Sequence, residues 1–245
     1  MKKLGNCIRA ELIKLFERRK YKIIIMLPAV YCLIVGAYSI AIKTRFQIGV
    51  TNIPLSVLSV CNNVIMPLMA LLLAADLFAG EQEGKTIKSL LTRPVSRSCI
   101  YFGKIVSIMI YLIISYGMTL FVALIMSAFS GNFTAFGLGT CFASYILSIL
   151  PMFAVVIVTG FLSQIARSPS VTIILGVLAS AAMGLIGTLL PQFYGMMLTS
   201  HTGFYKLFMG STFSMYTIMT SLGMLLGYGL VFYVVGDVLF NRRDY

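Results

Sequence analysis

The sequence predicts an all-α polytopic membrane protein with six spans. Three observations carry this reading. Of the 245 residues, 59% are hydrophobic and 11% charged, whereas soluble domains carry roughly a quarter charged residues. The apolar residues gather in runs long enough to cross a hydrocarbon core of about 30 Å. The basic residues, which give a net charge of +12, collect at the ends of those runs. No polar stretch is long enough for a separate soluble domain, so residues 1–245 form one membrane domain.

Residues 4–20 read as an amphipathic helix lying in the membrane interface. Leu4, Ile8, Leu12, Leu15 and Phe16 share an apolar arc, with Lys14, Glu17 and Arg18 away from its centre. About 22 charged or amphipathic residues precede the first apolar run and no small-residue cleavage site follows it, so a signal peptide is not expected. Spans are predicted at about 23–42, 54–79, 105–129, 138–162, 171–190 and 217–240. Residues 191–216, mixed and aromatic, form a short extracellular segment before the last span. Six spans put both termini on one side, which carries sixteen Lys and Arg against three on the other. The positive-inside rule makes that side cytoplasmic.

The charge does not indicate nucleic acid, since no basic stripe runs along a soluble element. Cys7, Cys32, Cys61, Cys99 and Cys141 are scattered, without a C-x-x-C, and read as small hydrophobes. His201 is the only histidine. That excludes the ligand sets of a zinc hydrolase, and there is no G-x-S-x-G to build a serine one. No metal, catalytic or directly bound cofactor site is expected. No span holds an acid near its centre, which argues against a proton-coupled carrier.

The informative segment lies between the second and third spans. Residues 76–104 hold three of the seven acids and five of the nineteen bases. Within it AGEQEGKT imitates a phosphate-binding loop, G-x-x-x-x-G-K-[ST], but Ala79 stands where the first glycine belongs. A membrane helix precedes it in place of a strand, and Glu81 and Glu83 would repel phosphate. It reads better as a short cytoplasmic helix, with Glu81 and Glu83 favouring its N-terminus and Arg93–Pro94 ending it. Thr86, Ile87, Leu90 and Leu91 give it a partly apolar face. The Leu90–Leu91 pair suits a partner's groove.

Glu81, Thr86, Ile87, Lys88, Leu90, Leu91, Arg93, Pro94, Ser96 and Arg97, with Lys104 seven residues further on, resemble the pattern of permeases of type-2 ABC exporters. The likeness is strongest to the small bacterial permeases of bacitracin or lantibiotic resistance and multidrug efflux. One departure is Lys85 where many relatives carry glycine.

The resemblance implies a bacterial plasma-membrane permease working as a homodimer or as a pseudo-dimer with a related chain. A separate cytoplasmic ATPase would bind ATP-Mg and seat on the coupling helix of segment 80–98, with Glu81, Glu83, Thr86, Ile87, Leu90, Leu91, Arg93, Pro94 and Arg97 as contact residues. The cargo implied is an amphipathic or hydrophobic compound such as a peptide antibiotic or drug; the alternatives are a lipid or other small molecule, or a sensory subunit that transports nothing. Asn62, Asn63 and Met66 in the second span are candidates for the substrate path, with structural hydrogen bonding as the alternative for the amides. Gly176, Ser180 and Gly184 are spaced to admit a close helix contact, either within the subunit or at the dimer seam.

Overall fold

The computed structural model describes residues 2–46, 52–84, 96–130, 137–166, 168–209 and 214–242. All regular structure in them is helical. Helix α1 (Lys2–Glu17) turns at Arg18 into α2 (Arg19–Phe46). Then come α3 (Ile53–Glu83), α4 (Arg97–Phe129), α5 (Leu138–Ile165) and α6 (Pro169–Leu189). A short α7 (Pro191–Tyr194) and a 3₁₀ segment (Leu198–Phe208) precede α8 (Met215–Arg242). Six of these helices are long and apolar enough to cross a membrane. The helices that carry the second and third predicted spans are longer than those spans: the second runs to Glu83 and the third begins at Arg97. The predicted interfacial helix ends at Glu17.

Helix α4 is the centre of the bundle. It packs on α1, α2, α3, α5 and α8, and its Tyr101, Ile105, Ile108, Tyr111 and Leu112 are fully buried. Its hydroxyls hold α2: Tyr111 donates to the Tyr21 carbonyl at 2.5 Å and Ser115 to the Ile25 carbonyl at 3.2 Å. In hydrocarbon such donors must be satisfied by protein. Helix α5 joins α3 to α8 and to the 3₁₀ segment. By contrast, only 11% of the most apolar stretch of α6 and 17% of that of α8 is buried, so these two helices offer most of their surface to surroundings outside the subunit.

Helix α3 is continuous but not uniform. Two π turns, Cys61–Ile65 and Ala75–Gly80, interrupt it. The wider i→i+5 turn rotates successive side chains nearer to one side than an α turn does, and such turns recur at functional positions. The first carries Asn62 and Asn63, while the second carries Asp76 and leads directly into Glu81.

Candidate functional site

At one end of the bundle the chain leaves α3 and re-enters α4, and both flanks of that crossing are fastened to other helices. Lys104, fully buried, stands about two turns into α4 beyond the anchoring Arg97. Its Nζ donates to Glu81 Oε2 at 2.7 Å, Glu11 Oε1 at 3.3 Å and the Leu77 carbonyl at 2.9 Å. An ammonium has three N–H donors, and here each meets an acceptor. Lys14 closes the group, donating to Glu11 Oε1 at 3.2 Å and Glu81 Oε1 at 3.0 Å. Two carboxylates and two ammoniums make a neutral quartet joining α1, α3 and α4.

Burial decides what this quartet is worth. Glu11 and Lys104 are wholly buried and Glu81 nearly so. Removing one partner from such a pair leaves a stranded charge at a cost of about 3–5 kcal/mol. The neighbouring pair Lys20–Asp76, at 2.6 Å but about half exposed on the lysine, is worth about 0–1 kcal/mol. Burial opposes the charge on Lys14, but the carboxylates of Glu11 and Glu81 outweigh it and hold its pKa above the ordinary lysine value.

The other contacts widen the attachment. Gln82 donates to Gln164 Oε1 at the end of α5, at 3.1 Å. On the α4 flank, Arg97 Nη1 donates to the Asn241 carbonyl at 2.9 Å and Ser98 Oγ to Asp237 Oδ2 at 3.0 Å, both on α8. Tyr101 then wedges among four helices. Its ring meets those of Phe78, Tyr233 and Phe240, and its hydroxyl fits a notch left by Gly160 and Gly236. That hydroxyl has no hydrogen-bond partner among the described residues.

Of the residues read as partner contacts, Glu81 lies in the quartet, Glu83 is exposed on the last turn of α3, and Arg97 opens α4 on α8. Thr86, Ile87, Leu90, Leu91, Arg93 and Pro94 lie outside the described residues. Glu11 and Lys14 were not singled out from the sequence. The signal was present, since Glu11 falls on the apolar stripe of Ile8 and Leu15, where an acid demands a partner.

A second polar group lies towards the opposite end. Asn62 is fully buried; its Nδ2 donates to Ser148 Oγ at 2.8 Å and to the Thr202 carbonyl at 3.2 Å, and its Oδ1 accepts from Tyr116 at 2.5 Å. Asn63, on the exposed side, accepts from Thr202 Oγ1 at 2.6 Å and donates to the Ser59 carbonyl at 2.9 Å. Met66 is buried in the core.

The small-residue row of α6 divides. Gly176 is buried where a Cβ would overlap Leu71 of α3, whereas Gly184 has open space and Ser180 is exposed. His201 is buried, with Nε2 3.0 Å from the Gly195 carbonyl. Burial pulls its pKa below the usual histidine value. No cluster of three or more His, Cys, Asp or Glu among the described residues has the arrangement of a metal site.

Comparison with known proteins agrees with this architecture. Two curated relatives, each named probable ABC transporter permease protein NosY, match over part of their length. One, from Stutzerimonas stutzeri, is 39% identical over 108 residues, 43% of this chain and 38% of the relative. The other, from Pseudomonas aeruginosa, is 45% identical over 60 residues, 24% of this chain and 22% of the relative. The matches thus span less than two-fifths of those proteins' lengths. The family model described as ABC-2 family transporter protein, however, matches residues 11–245. With six apolar helices and nearly the whole sequence matched, the chain belongs to the ABC-2 transporter family.

Proposed function

We propose that this chain is the permease subunit of an ABC exporter, driven by a separate cytoplasmic ATPase that docks on segment 80–98. The observation that carries the reading is the double anchorage of that segment. Its entry is ion-paired to α1 and α4, and its exit is hydrogen-bonded to α8. A force delivered at either end of that segment reaches most of the bundle through these contacts. ATP-driven closure of the partner would then shift the subunit between two packings by differential contact, as a rigid-body switch.

Two subunits, identical or related, would enclose the path, and the open faces of α6 and α8 suit such a seam. The termini and the segment face the cytoplasm in this scheme, in keeping with the charge asymmetry. The cargo is an amphipathic or hydrophobic compound, for which a peptide antibiotic is a fitting example, and Asn62, Asn63 and Met66 stand closest to its route.

The test is reconstitution in lipid with a candidate ATPase, following ATP hydrolysis and transport across a panel of amphipathic compounds. Leu90→Asp combined with Leu91→Asp is expected to abolish transport and its stimulation of hydrolysis while the protein still inserts and folds. Unchanged transport in that variant would dismiss the docking role, and failure of the purified chain to bind any ATPase would dismiss the permease reading.

A further inference from the structure

Buried polar side chains from three spans meet at Asn62, whose remaining donor goes to a residue that belongs to none of those spans. Asn62 (α3), Tyr116 (α4) and Ser148 (α5) are all buried and uncharged, and they satisfy one another except at one point. That point is filled by Thr202, itself buried, from the 3₁₀ segment. The π turn at Cys61–Ile65 matters here, because it turns both Asn62 and Asn63 towards the same neighbour. Asn62 takes the Thr202 carbonyl and Asn63 takes its hydroxyl, whose hydrogen is shared with the Thr199 carbonyl at 2.8 Å.

The segment that delivers Thr202 is poorly suited to stand alone. It is an eleven-residue 3₁₀ stretch with a non-helical kink at Gly203, and 3₁₀ runs beyond three or four residues are uncommon because their hydrogen bonds are poorly aligned. Its position therefore depends on contacts with the spans, through Leu198, Phe204 and Tyr205 as well as Thr202. If the segment lifts, Asn62 is left with an unused donor and Asn63 with an unused acceptor. The buried amide of Asn62 in that state requires a replacement partner.

We propose that Leu198–Phe208 is a lid, and that Thr202 occupies in the closed state the place of a cargo group on Asn62 and Asn63. The chemistry of the stand-in names the ligand class: an uncharged amphiphile with a hydroxyl beside a carbonyl, as in a hydroxylated peptide residue. The absence of any charged side chain from the Asn62, Tyr116 and Ser148 group disfavours an ion. This inference rests on the permease reading for its purpose, but its test needs neither ATPase nor transport, so the two fail separately.

Cys61, fully buried and adjacent to Asn62, is a native reporter. The full chain, with the other four cysteines replaced by alanine, is placed in phosphatidylethanolamine/phosphatidylglycerol nanodiscs. It is then exposed to a membrane-impermeant methanethiosulfonate. Thr202→Val and Asn63→Leu are each expected to raise the rate of Cys61 labelling by about fivefold, the factor for losing one neutral hydrogen bond. Thr202→Ser, which keeps both polar groups, is expected to match the parent. In Thr202→Val, N-octanoyl-threonine methylamide is expected to slow labelling again, and N-octanoyl-valine methylamide is expected not to. Labelling that is unchanged in Thr202→Val and Asn63→Leu overturns the lid, as does equal acceleration by Thr202→Ser. Equal effects of the two amides overturn the ligand class.

Discussion

Lys104 and His201 show how burial converts single residues into determinants of stability. Lys104→Met leaves the two carboxylates of Glu11 and Glu81 with the single, partly exposed ammonium of Lys14, and is expected to cost about 3–5 kcal/mol. Glu11→Gln, which leaves the Lys104–Glu81 pair at 2.7 Å, should cost less. Thermal midpoints of the purified variants in lipid check the order.

His201 adds a pH dependence. Its pKa is lowered in the fold from an ordinary value of 6.5, so the unfolded chain takes up the proton first. The destabilisation is absent above about pH 6.5 and accrues as pH falls from there to the folded value. The thermal midpoint of the native chain is therefore expected to fall more between about pH 7.5 and pH 5.5 than that of His201→Asn. Equal falls would contradict the assignment. At this scale the sequence was informative where a residue broke its local pattern. The buried Asn62 stood out within an apolar run, and Glu81 within a short charged island. Glu11 was hidden because its partner lies 93 residues away on another helix, a distance that helical periodicity does not encode.

Among the elements, the helices were legible because twenty or so apolar residues in a row have few other fates. Their ends were less so. Residues 97–104 carry Arg97 and Lys104 and look like loop by hydropathy, yet they form the first turns of α4, because those charges find partners on α8, α1 and α3. The π turns of α3 left no mark that composition reveals.

The small residues of α6, equivalent by spacing, are separated only by what faces them. Gly176→Val should destabilise the subunit by roughly 1–3 kcal/mol through overlap with Leu71. Gly184→Ala, with open space around it, should leave the thermal midpoint unchanged or raise it slightly, since alanine is the better helix former. At the four-helix wedge, Tyr101→Phe is expected to be nearly silent because the lost hydroxyl has no partner among the described residues. Gly236→Ala should be disruptive there, as its methyl would collide with the Tyr101 ring.

For the molecule as a whole, the contrast between a crowded α4 and the open α6 and α8 gives the proposed pairing of subunits a location. Gly184→Leu together with Gly227→Leu, both at positions with open space, is expected to shift the purified chain in nanodiscs towards single copies by mass measurement, with the thermal midpoint retained. A mass distribution equal to that of the native chain would remove these faces from the seam. The quartet of Glu11, Lys14, Glu81 and Lys104 has one more consequence. Helices α3 and α4 are bound to each other and to α1 through side chains on both sides of residues 85–95, so the covalent connection there is not what keeps them together. A protease site introduced in that stretch and then cut should yield two fragments that still copurify as one folded subunit. Such a cut falls at the point where the chain is proposed to be driven, and a cut subunit that folds but no longer responds to ATP would separate the peptide's role as a handle from its role as a tether.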